Sequence, residues 1–233
     1  MTKKIHIVLL VAILAAGVRL GFIFYERHEA SVVPAKKQEP PLNPDYYVSP
    51  KKLYPYDLKS AKQLTKQPVW VKVGYAYSYY AYDSATKRVN FSHETGKLGP
   101  LQKLDVKDVI TAVSPKDPGE LQVLAVFHDG AKAYATPIGK ESDGDFKFFP
   151  DDMFFIEDPH QLYKHWPADV WQAIDEHQAK PGMSELQVGC AIGIGLLQSG
   201  DEIDRTLDYP NGGKPLTISF HDGKASEIKP GAS

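Results

Sequence analysis

The chain has 233 residues, with 27 lysines and arginines against 29 aspartates and glutamates, so its formal net charge is −2. This balance excludes the strongly basic field that favours nucleic acid. Hydrophobic residues make up 42% of the chain and charged residues 24%, as in folded globular proteins, and the one cysteine excludes an internal disulfide.

The N-terminal 25 residues are the most apolar part of the chain. Two lysines precede the apolar run Ile5–Val18, and Arg19 follows it. A basic start before an apolar run is typical of a signal peptide. Ile5–Tyr25 also has the roughly 20 residues that an uncleaved anchor needs. The sequence therefore predicts a signal anchor or signal peptide at residues 1–25. We expect a single-pass protein of the cytoplasmic membrane, attached through residues 5–25, with its folded part periplasmic or extracellular.

Residues 26–67 have the composition of a proline-rich linker. Seven prolines fall between Pro34 and Pro68. Proline removes a backbone donor and favours an extended chain, so neither a long helix nor a sheet is expected here. Four tyrosines late in the segment predict that its end packs on the folded body. They are Tyr46, Tyr47, Tyr54 and Tyr56.

Residues 68–160 show the alternating pattern of short strands. The runs PVWVKVG from Pro68 and LDVKDVITAV from Leu104 are two of the five or six strands predicted between residues 68 and 157. Asp129-Gly130 lies between two further runs and favours a tight type I′ hairpin turn. This rhythm resembles a bacterial SH3-like domain, which implies a small antiparallel β barrel.

The stretch YAYSYYAY carries the candidate ligand-binding residues. In a strand, Tyr75, Tyr77 and Tyr79 share one face, and Tyr80 and Tyr82 lie on the other. We expect one face to pack in the core and the tyrosines left exposed to stack on sugar rings or a peptide. Tyr77, Tyr79, Tyr80 and Tyr82 are therefore predicted as possible ligand-binding residues. They support one alternative function, cell-wall (peptidoglycan) binding through the SH3-like domain.

The glycine-rich stretch Pro181–Glu202 does not match a nucleotide loop. Gln198 stands where the third glycine of a dinucleotide loop belongs. Asp201 follows Gly200, where a P-loop needs lysine, and a carboxylate repels phosphate. The sequence therefore predicts neither a nucleotide nor a cofactor, and no nucleic acid as partner.

The same stretch has the signals of a helix. Ser184 and Gln187 form a capping box that starts it, and Gly193 and Gly195 are positioned to end it. Cys190 lies late in this helix, where the helix dipole disfavours a thiolate. We therefore expect Cys190 to be a small buried hydrophobic residue and not a nucleophile.

Residues 161–230 are predicted to contain two helices followed by three strands. The first helix is PADVWQAIDEHQ, the second is the helix that starts at Ser184, and the strands are RTLDY, KPLTISF and KASEI. The order resembles the SmpA/OmlA family, the BamE-like outer-membrane assembly lipoproteins. The matching positions are Gly182, Met183, Ser184, Val188, Gly193, Tyr209, Phe220, Gly223 and Ile228. The resemblance covers residues 167–229 and implies the two-helix, three-strand fold shared with β-lactamase inhibitory proteins (BLIP-like). Those relatives bind proteins and assist envelope assembly, and they are not enzymes.

No residue set indicates catalysis or a metal. His160 and His165 are five residues apart, whereas metal pairs on a helix prefer four, and SDGDFKFFPDD lacks the closing glutamate of a calcium loop. We therefore predict an α+β protein with an N-terminal membrane segment, a small antiparallel SH3-like β barrel and a BLIP-like domain. The predicted function is a non-catalytic, membrane-anchored protein-binding or assembly module with an envelope protein or the cell wall as partner. A hydrolase with an unrecognised site stays open as a further alternative.

Overall fold

The computed structural model describes residues 2–31, 43–201 and 204–231. The chain divides into two compact units, Met1–Asn43 and Pro44–Ser233. In the first unit, helix α1 spans Thr2–Ser31. Part of the proline-rich linker prediction, residues 32–42, falls outside the described residues.

The predicted membrane segment is contradicted by the structure. Within the described residues, no helix is both long and apolar enough to cross a lipid bilayer. A spanning helix requires about 20 consecutive, predominantly apolar residues. The predictions of a transmembrane helix, of a signal anchor and of single-pass membrane localisation are therefore wrong, whereas attachment to the membrane through residues 5–25 stays a prediction.

The second unit consists mainly of strands that form three antiparallel sheets. Its helices are α2 Leu58–Ala61, α3 Pro150–Met153, α4 Pro159–Leu162, α5 Ala168–Asp175 and α6 Glu185–Ile192, with 3-10 turns at Pro44–Tyr47, Lys62–Lys66 and Asn211–Gly213. Its strands are β1 Val69–Val71, β2 Ser78–Asp83, β3 Arg88–Lys97, β4 Lys103–Leu104, β5 Val106–Val113, β6 Glu120–Asp129, β7 Lys132–Ser142, β8 Asp145–Phe148, β9 Phe154–Phe155, β10 Leu196–Gly200, β11 Arg205–Tyr209, β12 Leu216–His221 and β13 Lys224–Pro230.

A six-stranded sheet has the order β3-β2-β7-β6-β5, with β8 paired to β7. The predicted hairpin is confirmed at its centre, where β6 and β7 pair from Glu120↔Ser142 to Asp129↔Lys132. Gly130 in its turn has φ +57°, which glycine adopts without a steric penalty. One face of the sheet packs into a core with the short sheet β4-β1-β9 and the residues around α2.

The four-stranded sheet has the order β10-β11-β12-β13 and is covered on one face by α5 and α6. Its core contains Ile174, Val188, Leu207, Ile218 and Phe220. Residues from the preceding strands complete this core, since Phe155 of β9 belongs to it and Trp70 and Leu101 pack against it. The parts predicted as two domains therefore share a hydrophobic core.

The predicted fold class is wrong, because the described residues form mainly β-sheet with few helices. A barrel closes when its first and last strands pair, but β3 and β5 lie at opposite edges of the six-stranded sheet. An SH3-like barrel is therefore not formed. The predicted two-helix, three-strand domain is also incorrect, because β10 adds a fourth strand before the three that were predicted.

The segment that leads into the second unit is held by polar contacts and not by its tyrosines. Asp45 receives hydrogen bonds from Trp166 Nε1 at 2.7 Å and from His165 Nε2 at 2.6 Å. Lys51 pairs with Glu157 through both its backbone amide and its ammonium group. The tyrosines predicted to pack against the body are exposed, since these polar contacts and the packing of Val48 and Leu53 hold the segment instead. These are Tyr46, Tyr47, Tyr54 and Tyr56.

Candidate functional site

The structure separates the four candidate tyrosines. Tyr77 and Tyr79 pack against the core between the six-stranded and three-stranded sheets. Tyr79 lies edge-on to Phe127, with ring centroids 5.8 Å apart. The Tyr77 hydroxyl donates to the Asp152 carbonyl at 3.3 Å, and burial raises the pKa of this tyrosine. Both side chains therefore contribute to packing.

Tyr80 and Tyr82 lie on the opposite face of the same sheet, as the alternation of a strand requires. Tyr80 packs edge-on against Phe91, with ring centroids 5.2 Å apart. Tyr82 and Phe91 cover a small cluster whose buried members all come from this sheet. Of the four tyrosines, these two alone face away from the main core.

Cys190 is enclosed in the C-terminal core, as predicted. Its residue is 2% exposed. Burial, and to a smaller extent the charge of Asp45, raises the pKa of the thiol to about 12. A thiol with this pKa is protonated at neutral pH and is a poor nucleophile.

The capping box that starts α6 is confirmed. The Ser184 amide donates to Gln187 Oε1 at 2.8 Å, and the Gln187 amide donates to Ser184 Oγ. The helix ends at Gly193, which has φ +89° and ψ −154°. A methyl group at Gly193 would lie 2.6 Å from the Gly74 carbonyl oxygen. Gly193 therefore ends the helix and also allows the close approach of a neighbouring loop.

Strand β10 follows directly and forms one edge of the four-stranded sheet. All five of its residues are exposed, with Leu196 at 52% and Leu197 at 64%. Leu197 pairs with the buried Leu207, so it lies on the face that the helices cover elsewhere, whereas Leu196 pairs with Asp208 on the other face. Leu186 on α6 is 41% exposed. We call Leu186, Leu196 and Leu197 the leucine patch.

A groove of about 430 Å³ adjoins the leucine patch, between α6 and the chain that enters β10. Leu186, Ile194 and Tyr209 line it. The Tyr209 residue is 1% exposed, and its hydroxyl has no hydrogen-bond partner among the described residues. Burial is the main cause that raises the pKa of Tyr209, so the hydroxyl keeps its proton at neutral pH. A methyl group at Gly195 would lie 2.8 Å from Cζ of this tyrosine, so glycine lets β10 lie close to the ring.

Charged groups lie at the border of the groove and are paired. Arg205 forms an ion pair with Glu185. Lys72 donates to the Asp151 carbonyl and lies 3.9 Å from the Asp151 carboxylate. Burial lowers the pKa of Lys72. The groove therefore has an apolar centre between two charge pairs.

The edge strands of the two larger sheets differ in charge. Natural proteins protect edge strands from pairing with other chains by placing charges or proline on them. β3, β5 and β13 all carry charged residues, and β13 also ends in Pro230. β10, with the sequence Leu-Leu-Gln-Ser-Gly, has neither charge nor proline. A bulge shifts its register between Leu197 and Ser199, so the regular part of this edge is short.

Metal-ligating side chains come together at one place in the part of the chain that the structure describes. Ligand atoms of Asp204, His221 and Asp222 lie within 4.8 Å of one another, and all three residues are exposed. Exposed acidic groups of this kind are common without an ion.

The sequence pattern did not indicate β10 or the leucine patch. Two leucines between Gly195 and Gly200 are too short a run to show strand alternation, and the glycines matched a helix end. The absence of charge from Leu196 to Gly200 is the signal that could have identified an unprotected edge. Comparisons with known protein families, with curated proteins and with solved structures find no match to this chain.

Proposed function

We propose that the chain is a non-catalytic protein-binding module that takes up an extended segment of another protein at β10. In this mode of recognition, a peptide adds a strand to an exposed sheet edge, and its alternate side chains enter neighbouring pockets. The single observation that carries the proposal is the leucine patch on an edge strand without charge or proline.

Two exposed leucines on β10 and a third on α6 are unfavourable in water, and burying apolar surface contributes roughly 25 cal/mol per Å². Leu196 and Leu197 point to opposite faces of the sheet. An added strand would therefore cover Leu197 on the helix side and Leu196 on the other side. Because the bulge shortens the regular edge, we expect a short added strand.

The groove supports binding of apolar side chains beside the added strand. Leu186 and Ile194 offer apolar contacts there, and the Tyr209 hydroxyl is a buried group without a partner.

Residues 167–229 resemble the SmpA/OmlA family in sequence, and members of that family bind proteins, but the two-helix, three-strand fold that this resemblance implies is not formed. The competing interpretation, cell-wall binding through Tyr77, Tyr79, Tyr80 and Tyr82, is less favoured. Two of these four tyrosines, Tyr77 and Tyr79, are partly buried and pack against the core, so the four do not form one exposed aromatic surface.

The proposal is tested by selecting random linear peptides displayed on phage against the full chain. We expect the selected peptides to carry apolar residues at alternate positions. They should lose binding to the double variant Leu196→Asp/Leu197→Asp, because a charge on each face opposes burial. Since both leucines are exposed, the double variant should retain the melting temperature of the parent within the range of surface substitutions.

The matched control is Val113→Asp, which places the same charge at an exposed apolar residue at the end of edge strand β5. We expect the selected peptides to bind this variant like the parent. Peptides that bind the double leucine variant unchanged, or that lose binding to Val113→Asp instead, would overturn the assignment of the docking edge to β10.

A further inference from the structure

A second concave site lies in the same unit and shares no lining residue with the groove beside β10. It is a cleft of about 380 Å³ between the loops that flank β1 and β4 and the segment from α4 to the end of α5. Its volume falls within the roughly 300–1,000 Å³ of small-molecule sites. It also lies where the strands and the helices of the unit meet, a common position for such sites.

Three residues with positive φ line this cleft, and one of them, His177, follows the end of α5. Seven non-glycine residues among those described have positive φ. All seven lie in turns, and four of them lie outside the lining of the cleft: Lys87, Asp143, Asn211 and Asp222. The other three line the cleft and are Tyr75, Leu101 and His177, with φ of 63°, 47° and 52°. Positive φ is a steric outlier for bulky residues such as tyrosine and leucine. Strain of this kind clusters at binding sites when the surrounding structure enforces it.

Hydrogen bonds and close packing enforce these conformations. The Tyr75 amide donates to the Leu98 carbonyl at 2.6 Å, and the Leu101 amide donates to the Val71 carbonyl at 3.1 Å. The Tyr75 ring also lies so close to Gly193 and Gly212 that an added methyl group would clash with it. The cleft walls are therefore fixed before any ligand binds.

The polar groups of the cleft form a mixed set of donors and acceptors. His177 Nδ1 donates to the Ala191 carbonyl at 3.1 Å, so Nε2 of the neutral ring is an acceptor. Gln102 Oε1 accepts from the Gly99 amide at 2.8 Å, which leaves its NH₂ group as a donor. The Asp175 carboxylate is a further acceptor, and its side chain is 59% exposed.

The charges around the cleft oppose a charged ligand of either sign. Asp175 lines the cleft and would repel an anion, and its Oδ1 lies 3.3 Å from Nε2 of His160, which also lines the cleft. Lys103 lies outside the lining, but its Nζ is 5.5 Å from the centre of the Trp70 ring and would repel a cation. A hydroxyl group donates and accepts at once. A neutral molecule with several hydroxyls therefore satisfies this set of groups without burying a charge. Trp70 lines the cleft, and the part of its indole that Lys103 does not cover suits the C–H face of a sugar ring.

We propose that this cleft binds a small neutral polyhydroxylated ring, such as a monosaccharide unit, with Trp70 as the apolar wall and Gln102, Asp175 and His177 as hydrogen-bonding groups. This site is separate from the docking edge at β10. It adds a small-molecule ligand to a protein whose other proposed ligand is a peptide segment.

The proposal is tested by saturation-transfer NMR on the full chain with glucose and N-acetylglucosamine as probes, and with glucuronate and glucosamine as charged analogues. We expect saturation transfer to the neutral sugars. Asp175→Ala and His177→Asn should each weaken their binding about tenfold, the effect of losing one or two hydrogen bonds. Asparagine tolerates the positive φ at position 177. Asp169→Ala, on the same helix but outside the cleft, should leave binding unchanged.

Melting curves of all variants distinguish a lost contact from a lost fold. The proposal would be overturned if neither neutral sugar shows saturation transfer. It would also be overturned if Asp175→Ala and His177→Asn bind the sugars as tightly as the parent. A preference for glucuronate or glucosamine would overturn the assignment to a neutral ligand. The variant Leu196→Asp/Leu197→Asp should bind the sugars like the parent. A negative result for the sugar cleft therefore leaves the docking proposal for β10 unaffected, and the reverse is also true.

Discussion

At the scale of single residues, burial determines the chemistry of this protein more than residue type does. Cys190 is the one thiol of the chain, and its surroundings raise its pKa to about 12. Tyr163, which is also buried in the C-terminal core, has its pKa raised to about 12 by the same cause. These groups are more acidic in the unfolded chain than in the folded protein.

The raised pKa of Cys190 predicts a loss of stability at high pH. Above the ordinary thiol pKa of 9.0, the unfolded chain releases this proton while the folded protein keeps it up to about pH 12. The unfolded state then binds fewer protons, so the free energy of unfolding falls as pH rises through this window. Below pH 9.0 the contribution is fully present.

The variant Cys190→Ala isolates this effect. It should cost roughly 1 kcal/mol at pH 7, as the removal of a small buried group does. Its free energy of unfolding, measured by urea titration, should fall less steeply than that of the parent above pH 9.0. The same slope in both proteins, or rapid reaction of the native thiol with iodoacetamide at pH 7, would contradict the buried assignment.

At the scale of elements, two features were predictable because their signals are local. The capping box at Ser184 and the hairpin around Asp129-Gly130 both depend on residues that are close in sequence, and both were found. β10 was not predictable in this way, because its pairing with β11 is what makes it a strand. The same glycines that ended the helix also serve the packing of Tyr75 and Tyr209, which are distant in sequence.

The helix end at Gly193 provides a stability test with a control in the same helix. Gly193→Ala should destabilise the protein by more than about 1 kcal/mol, because alanine is strained at positive φ and its methyl group would meet the Gly74 carbonyl. Gly189→Ala, where a methyl group meets nothing within 4 Å, should instead stabilise the helix by roughly 0.5–1 kcal/mol.

Thermal unfolding of both variants checks that the two substitutions change the stability in opposite directions. If Gly193→Ala is as stable as the parent, the loop at Gly74 does not lie as close to the end of α6 as the structure shows. If Gly189→Ala is destabilising, this position is not an open site in the helix.

At the scale of the whole molecule, the sequence predicted a β-rich region and a pair of later helices, but not how the strands assemble. Strand number and rhythm do not determine whether a sheet closes, so a barrel was inferred where an open six-stranded sheet forms. The shared core was also not predictable. It depends on Trp70, Leu101 and Phe155 reaching the C-terminal helices across a long separation in sequence. Within the candidate site, the alternation of side chains along a strand correctly placed Tyr80 and Tyr82 on the opposite face of the sheet from Tyr77 and Tyr79. The exposure of the leucine patch could not be predicted in this way, because it depends on the order of the strands in the sheet.

The most direct test of the central claim, that β10 is the docking edge, is amide hydrogen exchange of the full chain with and without a selected peptide. Strand addition places backbone hydrogen bonds on an edge that otherwise faces solvent, which slows exchange of the amides involved. We predict that peptide binding slows exchange in β10 and in the α6 residues beside the groove, with β13 unchanged. Slowed exchange confined to β13 or to the face of Tyr80 and Tyr82, with β10 unaffected, would contradict the account.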